Sequence, residues 1–174
     1  MRRVDFLLVM TASIGFAPRA RADADAEQAK TVIVVRHAEA EPAPAGGDPG
    51  LSPGGRARAV ELARTLADAS VRTVLSTHYA RNRQTIEPLV RGTGGRVKIV
   101  DEVPAIVAAV AAEPWGSTVV VVGHSNTMAK LLTGLAGRAF SDVDPVPFDA
   151  MWIVTLSRGG ASWVRLRYGP ATAR

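Results

Sequence analysis

The 174-residue chain has no cysteine, which excludes disulfides, a thiolate nucleophile and a thiolate zinc site, and which fits either a reducing or an oxidising compartment. Aromatic residues are scarce, at 5% with two tyrosines, so a stacking platform for nucleic-acid bases is missing. The apolar stretch from Phe6 to Ala17 falls well short of the roughly 20 residues that a membrane-spanning helix needs. Histidine occurs only three times, as His37, His78 and His124, so any histidine chemistry is confined to these positions.

The N-terminus has its own pattern. Met1-Arg2-Arg3 is a basic start, Phe6 to Ala17 is mostly apolar, and the small-residue cleavage sites Ala20-Arg21-Ala22 and Ala22-Asp23-Ala24 follow. Residues 1–22 therefore read as an export signal, with retention as an anchor the competing outcome, and 23–30 as a polar, Ala-rich leader. This predicts a periplasmic or secreted protein whose domain spans 31–174. The formal charge is +5, from 21 basic and 16 acidic residues; without Arg2, Arg3, Arg19, Arg21 and Asp5 the balance is 17 against 15, or +2. The remaining basic residues are scattered, so neither charge nor aromatics mark a nucleic-acid partner.

Beyond the leader, Thr31 to Arg36 and Thr118 to Gly123 are Val/Ile runs of the kind that form strands buried on both faces of a parallel sheet. Between them lies a loop, Glu41 to Gly50, with three prolines and three glycines. Ser52-Pro53 forms a helix start, an N-cap followed by proline at the first helical position, and Ala59, Leu62, Ala63 and Leu66 give an apolar stripe to about Ser70. A strand over Val71 to Ser76 follows, then a helix over Arg81 to Val90 whose end Pro88 should bend or shorten. Next come a strand over Val97 to Val100, a helix over Ala105 to Ala112, and a helix over Asn126 to Ala136 closed by Gly137. Met151 to Leu156 and Ser162 to Arg167 form a hairpin around Arg158-Gly159-Gly160. Alternating strands and helices predict an α/β domain, a three-layer αβα sandwich with a mostly parallel central sheet and a C-terminal hairpin.

Each of the two long apolar runs delivers a histidine at its carboxyl end, His37 after Arg36 and His124 after Gly123. Ligands of such sheets bind there, which places both side chains for chemistry. A phosphoryl dianion needs fixed cationic donors and a nucleophile opposite the leaving oxygen. His37 can supply the nucleophile as a neutral imidazole, and the charges of Arg36 and Arg81 favour that form. Asn126 either caps the helix after His124 or adds a hydrogen-bond donor, and Glu39 either lines the pocket or ties down the loop.

Five segments in order carry a family likeness. Arg36-His37-Ala38-Glu39 resembles the Arg-His-Gly signature of the histidine phosphatase (phosphoglycerate mutase-like) superfamily, with Ala in place of Gly. Leu51-Ser52-x-x-Gly55, the element from Ser76 through Arg81 to Gln84-Thr85, Gly123-His124-Ser125-Asn126 and the C-terminal strand pair are similar to its later motifs. The resemblance implies a phosphomonoesterase or phosphoramidase that forms a phosphohistidine at His37, with Arg36, Arg81 and His124 on the phosphoryl oxygens. It implies no metal or other cofactor, and a small phosphorylated molecule or a phosphoprotein as partner. A phosphate-binding module of the same fold, with little turnover, is the alternative.

The proton donor is unassigned. Larger members of the family place a glutamate in an insertion after the third strand, whereas here the link from Val100 to Ala105 is short and leaves Asp101 and Glu102 as the nearest candidates. Ser125 follows His124 where the acid phosphatase branch has an aspartate. This favours good leaving groups such as phosphoramidates or acyl phosphates, or slow general turnover. A serine hydrolase is unsupported, because no histidine follows Ser125. A metal site built from His37, Glu39 and His124 would stand beside arginines that repel a cation.

Overall fold

The computed structural model describes residues 29–140 and 146–172; the expected export signal and all but the end of the leader lie outside the described residues. Strands β1 (Lys30–Arg36), β2 (Val71–Ser76), β3 (Arg96–Ile99), β4 (Thr118–Gly123), β5 (Ala150–Ser157) and β6 (Gly160–Arg167) form one sheet in the order β3-β2-β4-β1-β5-β6. Strands β1 to β4 run parallel, with Val32 opposite Val119 and Val35 opposite Val122, and the β5–β6 hairpin joins antiparallel to β1. The expected α/β architecture is observed.

Alternation within β1 and β4 explains why these runs are apolar throughout. Val32, Val34, Val119 and Val121 face one layer, packing with Ile106 and Val110 of α3 (Val103–Ala112) and with Met128, Leu131 and Leu132 of α4 (Ser125–Ala136). Ile33, Val35, Val120 and Val122 face the other, with Leu62 of α1 (Pro53–Thr65) and Ile86 and Leu89 of α2 (Ala80–Thr93). Burying both faces of a central strand leaves no position for a polar side chain until the strand ends.

The helix boundaries follow local chemistry. Ser52 caps α1 by accepting from the Gly55 N–H at 3.1 Å, with Pro53 in the first turn. Gly137, at φ 68°, closes α4 in the left-handed conformation that glycine adopts without strain. One expectation fails at α2, which runs past Pro88 to Thr93. Ile86 and Leu89 are both buried against the sheet, so packing on either side of the proline offsets its missing backbone donor.

Candidate active site

The carboxyl ends of β1 and β4 lie side by side, and the histidines that follow them meet. The His37 and His124 rings are 5.3 Å apart, edge to face. His37 is buried, and its Nδ1 is 2.8 Å from the Ala38 carbonyl. A carbonyl only accepts, so Nδ1 carries the proton and Nε2 of the neutral ring keeps its lone pair. The Ala38 N–H donates to Thr85 Oγ1 at 2.9 Å, and Thr85 in turn donates to the Arg81 carbonyl at 2.7 Å, linking the loop after β1 to α2.

The electrostatics favour neutral imidazoles. Burial pushes the His37 pKa down to about 4, assisted by the charges of Arg36, His124 and Arg81 and opposed by the Ala38 hydrogen bond. Burial also lowers His124 to about 4, with Arg81 and Arg36 next in weight. Arg36 is held by the Val146 carbonyl, 2.7 Å from Nη1, and by the Phe148 ring, whose centroid is 3.8 Å from its guanidinium carbon. Arg81 lies over the Tyr79 ring at 4.4 Å and pairs with Asp48 at 3.6 Å. Both Asp48 oxygens accept from the Ala80 N–H, so the Pro/Gly-rich loop folds back onto the start of α2. Arg36, His37, Arg81 and His124 thus converge.

A cleft of about 570 Å³ opens from His124 and Arg81, bounded further out by His78, Asp101, Asn126 and Lys130. Asn126 stands exposed on its wall, while the turn it occupies is closed by Thr127, whose Oγ1 accepts from the His124 N–H at 3.2 Å. Glu102 also lines the cleft. Asp101 is an acceptor: its Oδ1 takes the His78 backbone N–H at 2.9 Å and Nδ1–H at 2.7 Å, contacts that hold its pKa below the usual carboxylate value. A carboxyl held in its ionised form is unsuited to donate a proton, which corrects its candidacy as the acid.

Glu39 also departs from a ligand's position. Arg58 reaches both its oxygens, Nε at 3.0 and 2.9 Å and Nη2 at 2.7 Å, so it ties down the loop and is unavailable to a metal. Among the described residues no group of three or more His, Asp or Glu side chains is arranged to hold a metal ion.

The remaining motif residues are now explained by contacts. A Cβ on Gly55 would come within 2.0 Å of the Glu39 carbonyl oxygen, so only glycine lets α1 start against the loop after His37. Gln84 Oε1 accepts from the Leu51 N–H at 2.6 Å. Asn82, fully buried, donates to the Val122 carbonyl at 2.9 Å. Residues absent from the sequence reading are Thr77, 3.1 Å from His124 Nε2, together with Asp48, Val146 and Phe148. They sit in loops and carry no periodic signal.

Fold, motifs and geometry together define a phosphatase-type hydrolase. The family profile for the histidine phosphatase superfamily (branch 1) matches residues 32–105, from β1 to the first turn of α3. A solved structure from Nakamurella multipartitia, assigned as the phosphohistidine phosphatase SixA, is 26% identical, with 83% of this chain and 98% of that one covered at TM-score 0.60. Its counterpart from Agrobacterium tumefaciens is 25% identical, covering 80% and 97% at TM-score 0.61. A structure from Escherichia coli assigned as an α-ribazole-5′-P phosphatase shares the fold at TM-score 0.65 and 13% identity, covering 83% and 100%. No curated protein matches the sequence.

Proposed function

We propose that the protein is an exported, metal-independent phosphohydrolase acting on phosphomonoesters or phosphoramidates through a phosphohistidine at His37. The observation that carries this is the Nδ1–H bond from His37 to the Ala38 carbonyl, which presents Nε2 as a lone pair beside His124 and two arginines. Nε2 attacks phosphorus, the P–N bond forms as the bond to the leaving group breaks, and water then releases phosphate. Arg36 and Arg81 stay charged throughout and meet the dianion with planar forks, a charge role that elsewhere falls to a metal ion. His124 completes the clamp, and Asn126 adds a neutral donor from the cleft wall. The likeness to structures assigned as phosphohistidine phosphatases supports phosphoramidate chemistry. The basic start, apolar run and small-residue sites of residues 1–22 support export.

Purified protein incubated with chelator and aryl phosphates, sugar phosphates or phosphoramidate should release inorganic phosphate, and an acid-labile, base-stable phosphoprotein should be trapped by rapid alkaline quenching. His37→Ala should abolish both. Phosphate binding that raises Tm without any turnover would instead identify the binding module. N-terminal sequencing of the protein recovered from cell fractions tests cleavage after Ala22 or Ala24.

A further inference from the structure

Building on the phosphohistidine reading, we infer that His78, oriented by Asp101, donates the proton to the leaving oxygen, so that the cleft accepts phosphomonoesters of ordinary alcohols. The pair lies outside the clamp, on the cleft that opens from His124 and Arg81. The Asp101 carboxylate offers only lone pairs, so its 2.7 Å contact fixes a proton on His78 Nδ1 and orients the ring. Tyr79 stacks against the His78 ring at 4.1 Å. With Nδ1 engaged by Asp101 and one face covered by Tyr79, the Nε2 edge of a ring that is 56% exposed is available to a substrate.

Position agrees with the geometry of displacement. Ring contacts run from His37 to His124 at 5.3 Å, to Tyr79 at 5.2 Å and to His78 at 4.1 Å, and His78 lines the same cleft as His124 and Arg81. In-line transfer puts the leaving oxygen opposite His37. In the first step the P–O bond breaks as the His78 Nε2 proton passes to the departing oxygen, giving an alcohol. In the second, water attacks phosphorus, the P–N bond to His37 breaks, and the water proton returns to His78 Nε2. The sum is ester plus water giving alcohol plus phosphate. This revises the expectation, from the lack of an acid near Val100, that good leaving groups are favoured or general turnover is slow.

The test is a leaving-group series from 4-nitrophenyl phosphate through phenyl phosphate to glycerol 2-phosphate, with the full protein, His78→Gln and Asp101→Asn. A donor flattens the dependence on leaving-group basicity, so His78→Gln should slow glycerol phosphate about 100-fold and nitrophenyl phosphate about tenfold less. Asp101→Asn should steepen the series part-way, and it carries the same test if His78→Gln does not fold. Equal losses along the series, or none, overturn the donor while leaving the phosphohistidine intact. An unmodified protein that turns over phosphoramidate but no ester overturns the donor alone, whereas no turnover of any phosphoryl compound, or turnover that survives His37→Ala, overturns the underlying reading and the donor with it.

Discussion

Arg58, almost wholly buried, holds both carboxylate oxygens of Glu39 and reaches with Nη1 to the carbonyls of Tyr168 and Pro170, so one side chain fastens the loop after the nucleophile to the C-terminal segment. Glu39 is held ionised: burial works against the charge, but the hydrogen bonds and charge of Arg58 outweigh it. Removing one partner of such a pair strands a buried charge. Glu39→Gln should therefore cost about 3 kcal/mol, a Tm loss of roughly 6–12 °C. Inhibition by inorganic phosphate should change less than twofold, since the glutamate is spent on Arg58. A large rise in the phosphate inhibition constant at unchanged Tm would place Glu39 in the substrate site after all.

The two site histidines make a second expectation, readable by NMR titration of their ring protons. His37 and His124 should titrate near 4, against an ordinary value of 6.5. The sign follows from linkage: between pH 6.5 and 4 the unfolded chain takes up protons that the folded chain refuses, so stability falls on acidification through that window, and neither group contributes above it. Phosphate binding should raise both values, because a dianion favours the imidazolium. Values near 6.5 in the free protein, or values unmoved by phosphate, would contradict a buried, cationic site.

The strands and their histidines were legible because burial on both faces forces unbroken Val/Ile runs, and such a run must stop where a polar group is required. The cap at Ser52 and the stop at Gly137 were legible for equally local reasons. Pro88 misled because its cost is local whereas the packing of Ile86 and Leu89 that overrides it is tertiary. Asp101 was picked out as an isolated carboxylate near a strand end; only the folded chain shows His78 across from it, 23 residues away in sequence. Phe148 and Thr77 were invisible because loop residues that touch a site through one ring or one hydroxyl leave no spacing to read.

Phe148 supports the clamp through Arg36. Its ring lies 3.8 Å from the guanidinium carbon and 6.0 Å from the His37 ring centroid. A cation over an aromatic face is worth about 1 kcal/mol at a partly exposed site. Phe148→Ala should therefore weaken phosphate inhibition about fivefold, with Phe148→Leu intermediate because it fills space without the π-face. Full binding strength in the alanine variant would show that the Phe148 ring is not needed to orient Arg36.

Thr85 joins the two halves of the site, accepting from the Ala38 N–H at 2.9 Å and donating to the Arg81 carbonyl at 2.7 Å, with its side chain fully buried. Thr85→Val keeps the shape and removes both bonds, leaving the Ala38 N–H without its acceptor at a cost of about 1–3 kcal/mol. The same peptide segment supplies the carbonyl that sets the His37 tautomer, so the loss should reach the reaction. We expect kcat to fall about tenfold while the phosphate inhibition constant stays within about threefold, since the arginines of the clamp are retained. Thr85→Ser keeps the hydroxyl and should restore most of the rate. If serine rescues Tm but not kcat, the methyl group and its packing, rather than the hydrogen bonds, position His37.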